Sequence, residues 1–562
     1  MNEKSEAILQ LLCSPEEANQ LLGVQLAHSQ LSKAERIALS EEWLDFFCGR
    51  KDYKTYFLYP IPFRYKEANY LHAIGILSDS MERLYIKNIQ HSKLPASFSF
   101  LKKLKELHLE SIDLTDIGTD FSNFKELQKL KLSSCKIDST VIFSGLKKLE
   151  TLYLTYGLNK IEEIGSLTNL KSLTLFESKI TEWKEGFKSL SELKKLKELS
   201  ITNIKCNEIP DEIGLLKGLK ILDLSATRTH HDQNILTLPN SFCDLQNLEK
   251  LVLSNQKILK LPTDFGNLLK LKFLELSETK IVYLPDSFGL LKKLETANFF
   301  KSELKRLPEN LELYNLKSLY LLETPIEYIP QSLGNSTKLK SLLISRCSRL
   351  SGKPSLQVEF IIKLKKLEYL ALTQLAIDRI PNGIGQIKSL KSIVLKHNNI
   401  SKLPSEIYNL TNLEFLTLDH NNIKDFAEGI GNLKKLTYLS ACDNYLKRFP
   451  SDFNSLPNLE IIKLSNNRIN NFKWNRGQLK NLKELWLSHN RLRSFSPELR
   501  YLNNLRELRL ARNYIRELPV EAILKAKCLT RLTITTEGLT KSQIAEIHDR
   551  LGGKVKSLKV WN

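Results

Sequence analysis

Hydrophobic residues in this chain alternate in short bursts, and the bursts recur at a nearly constant spacing. In residues 390–412, LKSIVLKHNNISKLPSEIYNLTN, the opening L-x-x-I-x-L has the two-residue alternation of a strand with one buried face. The rest, with Asn398, Ile400, Leu403 and Pro404, reads as a loop and a short return segment. Copies starting at Leu413 and Leu436 follow without a linker, and related copies begin at leucines from Leu104 to Leu529, usually 21 to 24 residues apart. One such turn cannot bury its own leucines. Stacked turns can, with their strands side by side in a parallel sheet and the leucines behind it. The predicted fold is an α/β solenoid of about twenty repeats with an inner parallel β-sheet.

The ends depart from the pattern. Ser14-Pro15-Glu16-Glu17 and Ser32-Lys33-Ala34-Glu35 are capping boxes that predict two helices, striped by Leu21, Leu22 and Leu26 and by Leu39, Trp43, Phe46 and Phe47. With the Tyr- and Phe-rich stretch 53–75, they are expected to form a small helical and aromatic N-terminal cap over 1–78, ahead of a solenoid over 79–540. Lys541 to Leu551 predicts an amphipathic helix and Lys554 to Val560 a last strand, together a C-terminal cap over 541–562. The repeats from Leu170, Leu219 and Leu339 are long, so 228–234 and 348–357 are expected as projecting loops. Eleven of the 18 prolines, Pro210, Pro285 and Pro404 among them, share one slot, where a missing N–H is harmless and a fixed φ is predicted to start the return.

The shared motif, L-x-x-L-x-L followed by Asn and an L-P-x-x-I-G-x-L return, resembles the leucine-rich repeat family, in its 23-residue form known from bacterial proteins and intracellular scaffolds. The resemblance runs from Met81 to the C-terminus. It implies a horseshoe or superhelix that binds protein partners; some members carry an enzyme domain beside the repeats, but here repeats and caps are expected to take up these 562 residues. It also implies that the ninth-position asparagines Asn398, Asn421, Asn444, Asn467, Asn490 and Asn513 bond backbone groups of neighbouring turns. Earlier repeats have Cys135, Gly157, Ser178, Thr227, Gln256, Thr279, Thr324 or Cys347 there, so a continuous ladder is expected only from Leu390 to Leu529.

Composition changes this picture in two respects. The chain of 562 residues has a net charge of +20, although residues 1–75 are slightly acidic, so the basic character belongs to the repeats. Its Lys excess flanks the first leucines, as at Lys147, Lys292 and Lys434, and predicts a basic rim that offers the alternative reading of a solenoid binding nucleic acid or an anionic surface. Eight scattered cysteines without a C-x-x-C, and a start lacking the basic end of a secretory signal, fit a reducing, cytoplasmic setting. No apolar run is long enough to span a membrane.

No H-E-x-x-H, G-x-S-x-G or P-loop signature is present, and neither a cofactor nor catalysis is expected. His397, His420 and Asp443 recur at position eight, but three ligands in a line do not converge on a metal. Positions three, five and seven of each strand point away from the core. There Tyr320, Leu343, Ala371 and Val394, flanked by Leu322, Tyr369, Phe415 and Tyr438, predict an apolar strip for a protein partner. Trp486 and Arg509, with Arg491, Arg493 and Arg512, form a second candidate suited to an acidic or aromatic surface.

Overall fold

The computed structural model describes residues 50–52, 55–58, 82–87, 101–111, 124–135, 145–155, 161–177, 182–203, 207–227, 235–346, 356–448, 451–474, 478–535 and 538–561, with a few isolated positions between and before them. Most of the two N-terminal helices, the aromatic segment 59–75, the loop 228–234, most of 348–357, and Gly157, Ser178 and Cys347 lie outside the described residues. At the second capping box, the Ser32 N–H donates to Glu35 (2.8 Å) and the Glu35 N–H to the Ser32 hydroxyl (3.3 Å).

The chain divides into two compact units, Met1–Leu271 and Lys272–Asn562. In the first, Arg50–Asp52 pairs antiparallel with Thr55–Leu58. Thr55–Leu58 then lies parallel to Arg83–Lys87, so the sheet begins inside the stretch assigned above to the cap. Parallel pairing continues strand by strand through Glu106–Glu110, Lys129–Ser133, Thr151–Thr155, Ser172–Phe176, Glu198–Thr202 and Ile221–Asp223 to Lys250–Val252. In the second unit the same pairing runs from Phe273–Glu275 to Ser557–Trp561. Most of these strands have three to five residues, but Ser318–Thr324 has seven and Ser341–Arg346 six, so the sheet is widest there.

Alternation explains the core. Along Glu106–Glu110 and Ser172–Phe176 every second residue is buried, and Leu107, Leu109, Leu173 and Leu175 are almost fully enclosed. Each such leucine contributes about 1.5 to 3 kcal/mol by leaving water. The return segments are mostly single 3-10 turns, which place Phe242, Phe265 and Phe288 fully inside. The extra residues of the repeat from Leu170 lengthen its return into the α-helix Trp183–Leu190.

The prolines stand directly before the return turns. Pro210, Pro239 and Pro285 are the extended residue before the 3-10 turn, with ψ of 153°, 163° and 152°. Their carbonyls accept from the N–H groups of Ile213, Phe242 and Phe288. The ring fixes φ, and the C=O, not the absent N–H, closes the turn.

A second regularity lies at position eight, which is left-handed in most repeats: φ is 60° at Asn255, 57° at Glu278, 55° at His397 and His420, 56° at Asp443 and 57° at Asn466. Among residues with a side chain, Asn, Asp and His are enriched several-fold in this conformation. Backbone geometry therefore accounts for the run of His, His, Asp and Asn. At the chain's end, the Thr540 hydroxyl accepts from the N–H of Gln543 to open the helix Lys541–Gly552, and Ser557–Trp561 adds the last strand.

Candidate functional site

Register decides which outward side chains are neighbours. In the second unit Tyr320 stands opposite Leu343, Leu343 opposite Ala371, and Ala371 opposite Val394. Neighbouring strands lie about 4.8 Å apart, so the four form one row. Tyr320, Leu322, Leu343 and Val394 are half-buried, Tyr369 is 47% exposed and Ala371 is 7% exposed, a shallow point in the row. One strand beyond Val394, Phe415 and Tyr438 face each other in register and stack at 4.2 Å with an interplanar angle of 12°.

The second candidate cluster begins where those rings end. The Lys463 ammonium lies 5.5 Å from the Tyr438 ring and 3.7 Å from the Trp486 ring, and the Arg509 guanidinium covers the other face of Trp486 at 3.7 Å. Lys463 thus joins two clusters that the sequence reading kept apart. Arg491 and Arg493 do not line the groove beside Trp486. Arg512 does line it, and in place of the other two stand Glu507, His489, Asp443, Arg531 and Lys559, around a volume of about 630 Å³. Arg531 and Lys559 come from the two last strands and are found only by carrying the outward positions through the irregular C-terminus. Glu507, with a side chain only 6% exposed, accepts from Arg509 Nε at 2.6 Å and pairs with Arg531 Nε at 3.0 Å.

Behind this face runs the asparagine ladder. Asn398 Oδ1 accepts from the N–H groups of Leu375 (3.0 Å) and Ile377 (3.2 Å), and its Nδ2 donates to the carbonyls of Leu372 (2.7 Å) and Leu395 (3.1 Å). Asn421, Asn444, Asn467, Asn490 and Asn513 each reach back to the preceding turn in the same way. A buried carboxylate adds to the polar layer: Asp419 accepts from the Ser440 hydroxyl and the Cys442 N–H (2.8 Å), and Lys396 lies 3.2 Å away. Burial, then Asp419, pushes the Cys442 thiol up to about 11, so it stays protonated and is a poor nucleophile.

His397 and His420 are brought together, stacked at 4.1 Å, and His420 lies 3.5 Å from Asp443. Parallel rings present their nitrogens side by side instead of towards one centre, and among the described residues no group of three or more ligating side chains could hold a metal ion. Burial, His420 and Lys396 hold the His397 pKa below its ordinary value.

The basic rim is built into the repeats. Lys171 pairs with Glu150 (2.8 Å), Lys317 with Glu295 (2.6 Å) and Lys483 with Glu460 (2.7 Å), each across one turn. Glu368 takes hydrogen bonds from Lys391 and Lys340, which hold its pKa below the usual range. A further ladder went unread in the sequence. The Asn directly before the first leucine, as Asn169, Asn412 and Asn504, donates to a carbonyl of the preceding turn, at Lys147, Lys388 and Lys480. Where the next turn has Lys in that slot, its ammonium bonds the same amide, as Lys195 does to Asn169 and Lys435 to Asn412. The recurrence of Asn or Lys directly before most of the first leucines was its sequence signal.

Comparison with known proteins agrees with this geometry. A family profile described as a leucine-rich repeat region matches residues 342–442, and one described as leucine-rich repeats in two copies matches 480–526. No curated protein sequence matches at a significant level. A solved leucine-rich repeat protein of Leptospira interrogans is 26% identical over 74% of this chain and 95% of its own, with a TM-score of 0.58. The plant peptide hormone receptor RGFR1, solved in complex with RGF2, is 25% identical, covers 81% of this chain and 80% of its own, and has a TM-score of 0.55. The Arabidopsis receptor kinase HAESA, solved with the peptide hormone IDA and the co-receptor SERK1, covers 95% of this chain and 91% of its own at 22% identity and a TM-score of 0.52, a likeness of fold alone. Among the described residues no helix is long and apolar enough to cross a membrane. Strands stacked in parallel register, 3-10 returns and an asparagine ladder, together with these matches, identify the chain as a leucine-rich repeat protein.

Proposed function

We propose that this chain is a non-enzymatic scaffold that binds another protein on the outward face of its second-unit sheet. The contact is centred on Tyr320, Leu322, Leu343, Tyr369, Val394, Phe415 and Tyr438. One observation carries the reading: Tyr320, Leu343, Ala371 and Val394 stand in register on consecutive strands, three of them half-exposed, and the stacked Phe415 and Tyr438 follow on the adjacent row that runs through Tyr369 and Ser392. Aromatic and aliphatic side chains held rigidly by a sheet lose little entropy on binding and make strong anchors. RGFR1, a plant peptide hormone receptor of similar fold solved in complex with RGF2, favours a polypeptide partner here.

The non-enzymatic part rests on chemistry. The groove's thiol is raised, its carboxylate Glu507 is tied to two arginines, and its other carboxylate, Asp443, takes a hydrogen bond from Asn466 and lies 3.5 Å from His420, so none is left unengaged as nucleophile or base. The unbridged Cys135, Cys243, Cys442 and Cys528 favour a reducing, cytoplasmic compartment.

The test is a crosslinking capture from the source cell with wild type and with Tyr320→Ser, Leu343→Ser and Val394→Ser combined. The expected result is one partner on wild type and none on the triple variant, with unchanged circular dichroism. Equal capture by both removes the strip from the contact.

A further inference from the structure

Beyond the apolar strip, the face carries a run of cations of a different kind. Lys463 stands in register with Trp486, Trp486 with Arg509, Arg509 with Thr533, and Thr533 with Lys559. Arg531 lies two residues before Thr533 on the same strand, and Arg512 is exposed at the left-handed turn after Arg509. Five cations thus lie along a span of five strands, against three carboxylates: Glu507, which pairs with two of them through their Nε atoms, Glu484, 3.9 Å from Lys463, and Asp443, which also lines the groove. The groove has a surplus of positive charge and, through Trp486, a planar floor already covered on both sides by cations. Among the described residues, Arg512 and Lys559 make no side-chain ion pair.

We propose that this groove binds an extended acidic segment of a protein partner, laid across the strands from Lys463 to Lys559. The geometry selects that chemistry. A single phosphate or sulfate is best held by cations converging on one point, whereas here they are set out in a row. Four strand spacings of about 4.8 Å make a path of about 19 Å. An extended chain at about 3.3 Å per residue covers it in about six residues. Alternate carboxylates of such a chain face the sheet about 7 Å apart, within reach of long Arg and Lys side chains. The guanidinium groups of Arg509 and Arg531 are held in place by Glu507 before any ligand arrives, so little side-chain freedom is lost on binding. Trp486 cannot serve as a stacking platform for bases while Lys463 and Arg509 occupy its two faces, which disfavours single-stranded nucleic acid. The inference rests on the reading of the chain as a protein-binding scaffold and names the charge of what it binds.

Fluorescence anisotropy on the full chain tests it with labelled hexaglutamate, hexaglutamine and a hexathymidylate oligonucleotide. The variant Arg512→Gln with Lys559→Gln leaves Glu507 and its two arginines intact, so the groove keeps its shape. Hexaglutamate should bind, hexaglutamine should not, and the double variant should bind hexaglutamate about tenfold more weakly at low salt. No binding of hexaglutamate, or equal binding by wild type and variant, overturns the proposal. Hexathymidylate binding as tightly as hexaglutamate, with the same loss in the variant, also overturns it, in favour of a general polyanion site. The Tyr320, Leu343 and Val394 triple variant should keep its hexaglutamate affinity. A partner captured by the double variant but not by the triple variant upholds the scaffold while removing the acidic segment.

Discussion

Within the second unit, the repeats before Leu390 and those after it solve the same packing problem with different side chains. Thr279 and Thr324 donate to the carbonyls of Leu276 and Leu321 in their own turns, and the Ser302 hydroxyl has no partner among the described residues. Asn444, in the equivalent place, accepts from the Ile423 N–H (3.0 Å) and donates to the Leu418 carbonyl (2.9 Å), both in the turn before. A hydroxyl closes its own turn; an amide ties two turns together. The strip begins at Tyr320 and Leu343, in repeats stitched chiefly by strand pairing and on the longest strands, and ends at Val394 in the first repeat that carries a ladder asparagine. The sheet thus widens where the ladder is absent, whereas outward candidate side chains occur on both sides of Leu390, with Val394, Phe415, Tyr438 and Trp486 on repeats that carry it.

The largest expected effect tests this division directly. Asn444→Ala leaves a buried N–H and carbonyl unpaired and should destabilise its region by about 3 kcal/mol, against about 1 kcal/mol for Thr279→Ala, measured by denaturation with peptide-resolved hydrogen exchange. Equal losses would erase the distinction. A smaller effect sharpens it from the backbone side. Gln374, at position eight before the ladder, is left-handed with φ of 58°, and Gln374→Asn should gain about 0.5 kcal/mol in the same assay. His420→Asn, already a tolerant type at φ of 55°, should change nothing measurable. The smallest effect is in pH. Burial, His420 and Lys396 outweigh Asp419 and Asp443 and lower the His397 pKa, so the folded state takes up that proton less readily than the unfolded chain. Its contribution is complete above the unfolded value of about 6.5 and is lost as pH falls through the lowered folded value. His397→Gln should flatten the dependence of melting temperature on pH in that range, and an unchanged slope would assign the dependence elsewhere.

The fold was legible because a period of about 23 residues with alternating leucines leaves few alternatives to stacked turns. Side-chain direction was legible for the same reason, since the outward positions follow from strand alternation at Tyr320 or Trp486 as readily as at any leucine. What was not legible depended on reach. Lys463 carries no motif, and only its position between two aromatic rings joins the apolar strip to Trp486. Arg531 and Lys559 sit in turns whose spacing has drifted, so a strict count of repeats misses them. The histidines at position eight suggested metal chemistry by their type, whereas a left-handed φ explains them by shape. The lysines suggested a free basic rim, and their pairing with Glu150, Glu295 and Glu460 is visible only when turns are stacked.

Native-state hydrogen exchange on the unmodified chain tests the difference between the two regions most directly. The amides of Ile400, Ile423, Leu446, Ile469 and Leu492 donate to ladder asparagines. For Ile281 and Leu304 the equivalent places are held by Ser302 and Thr324, whose hydroxyls make no such bond. A hydrogen bond worth about 1.4 kcal/mol corresponds to a tenfold difference, so the first set should exchange about tenfold more slowly than the second. Indistinguishable rates in the two sets would contradict the claim that the asparagine ladder divides this solenoid.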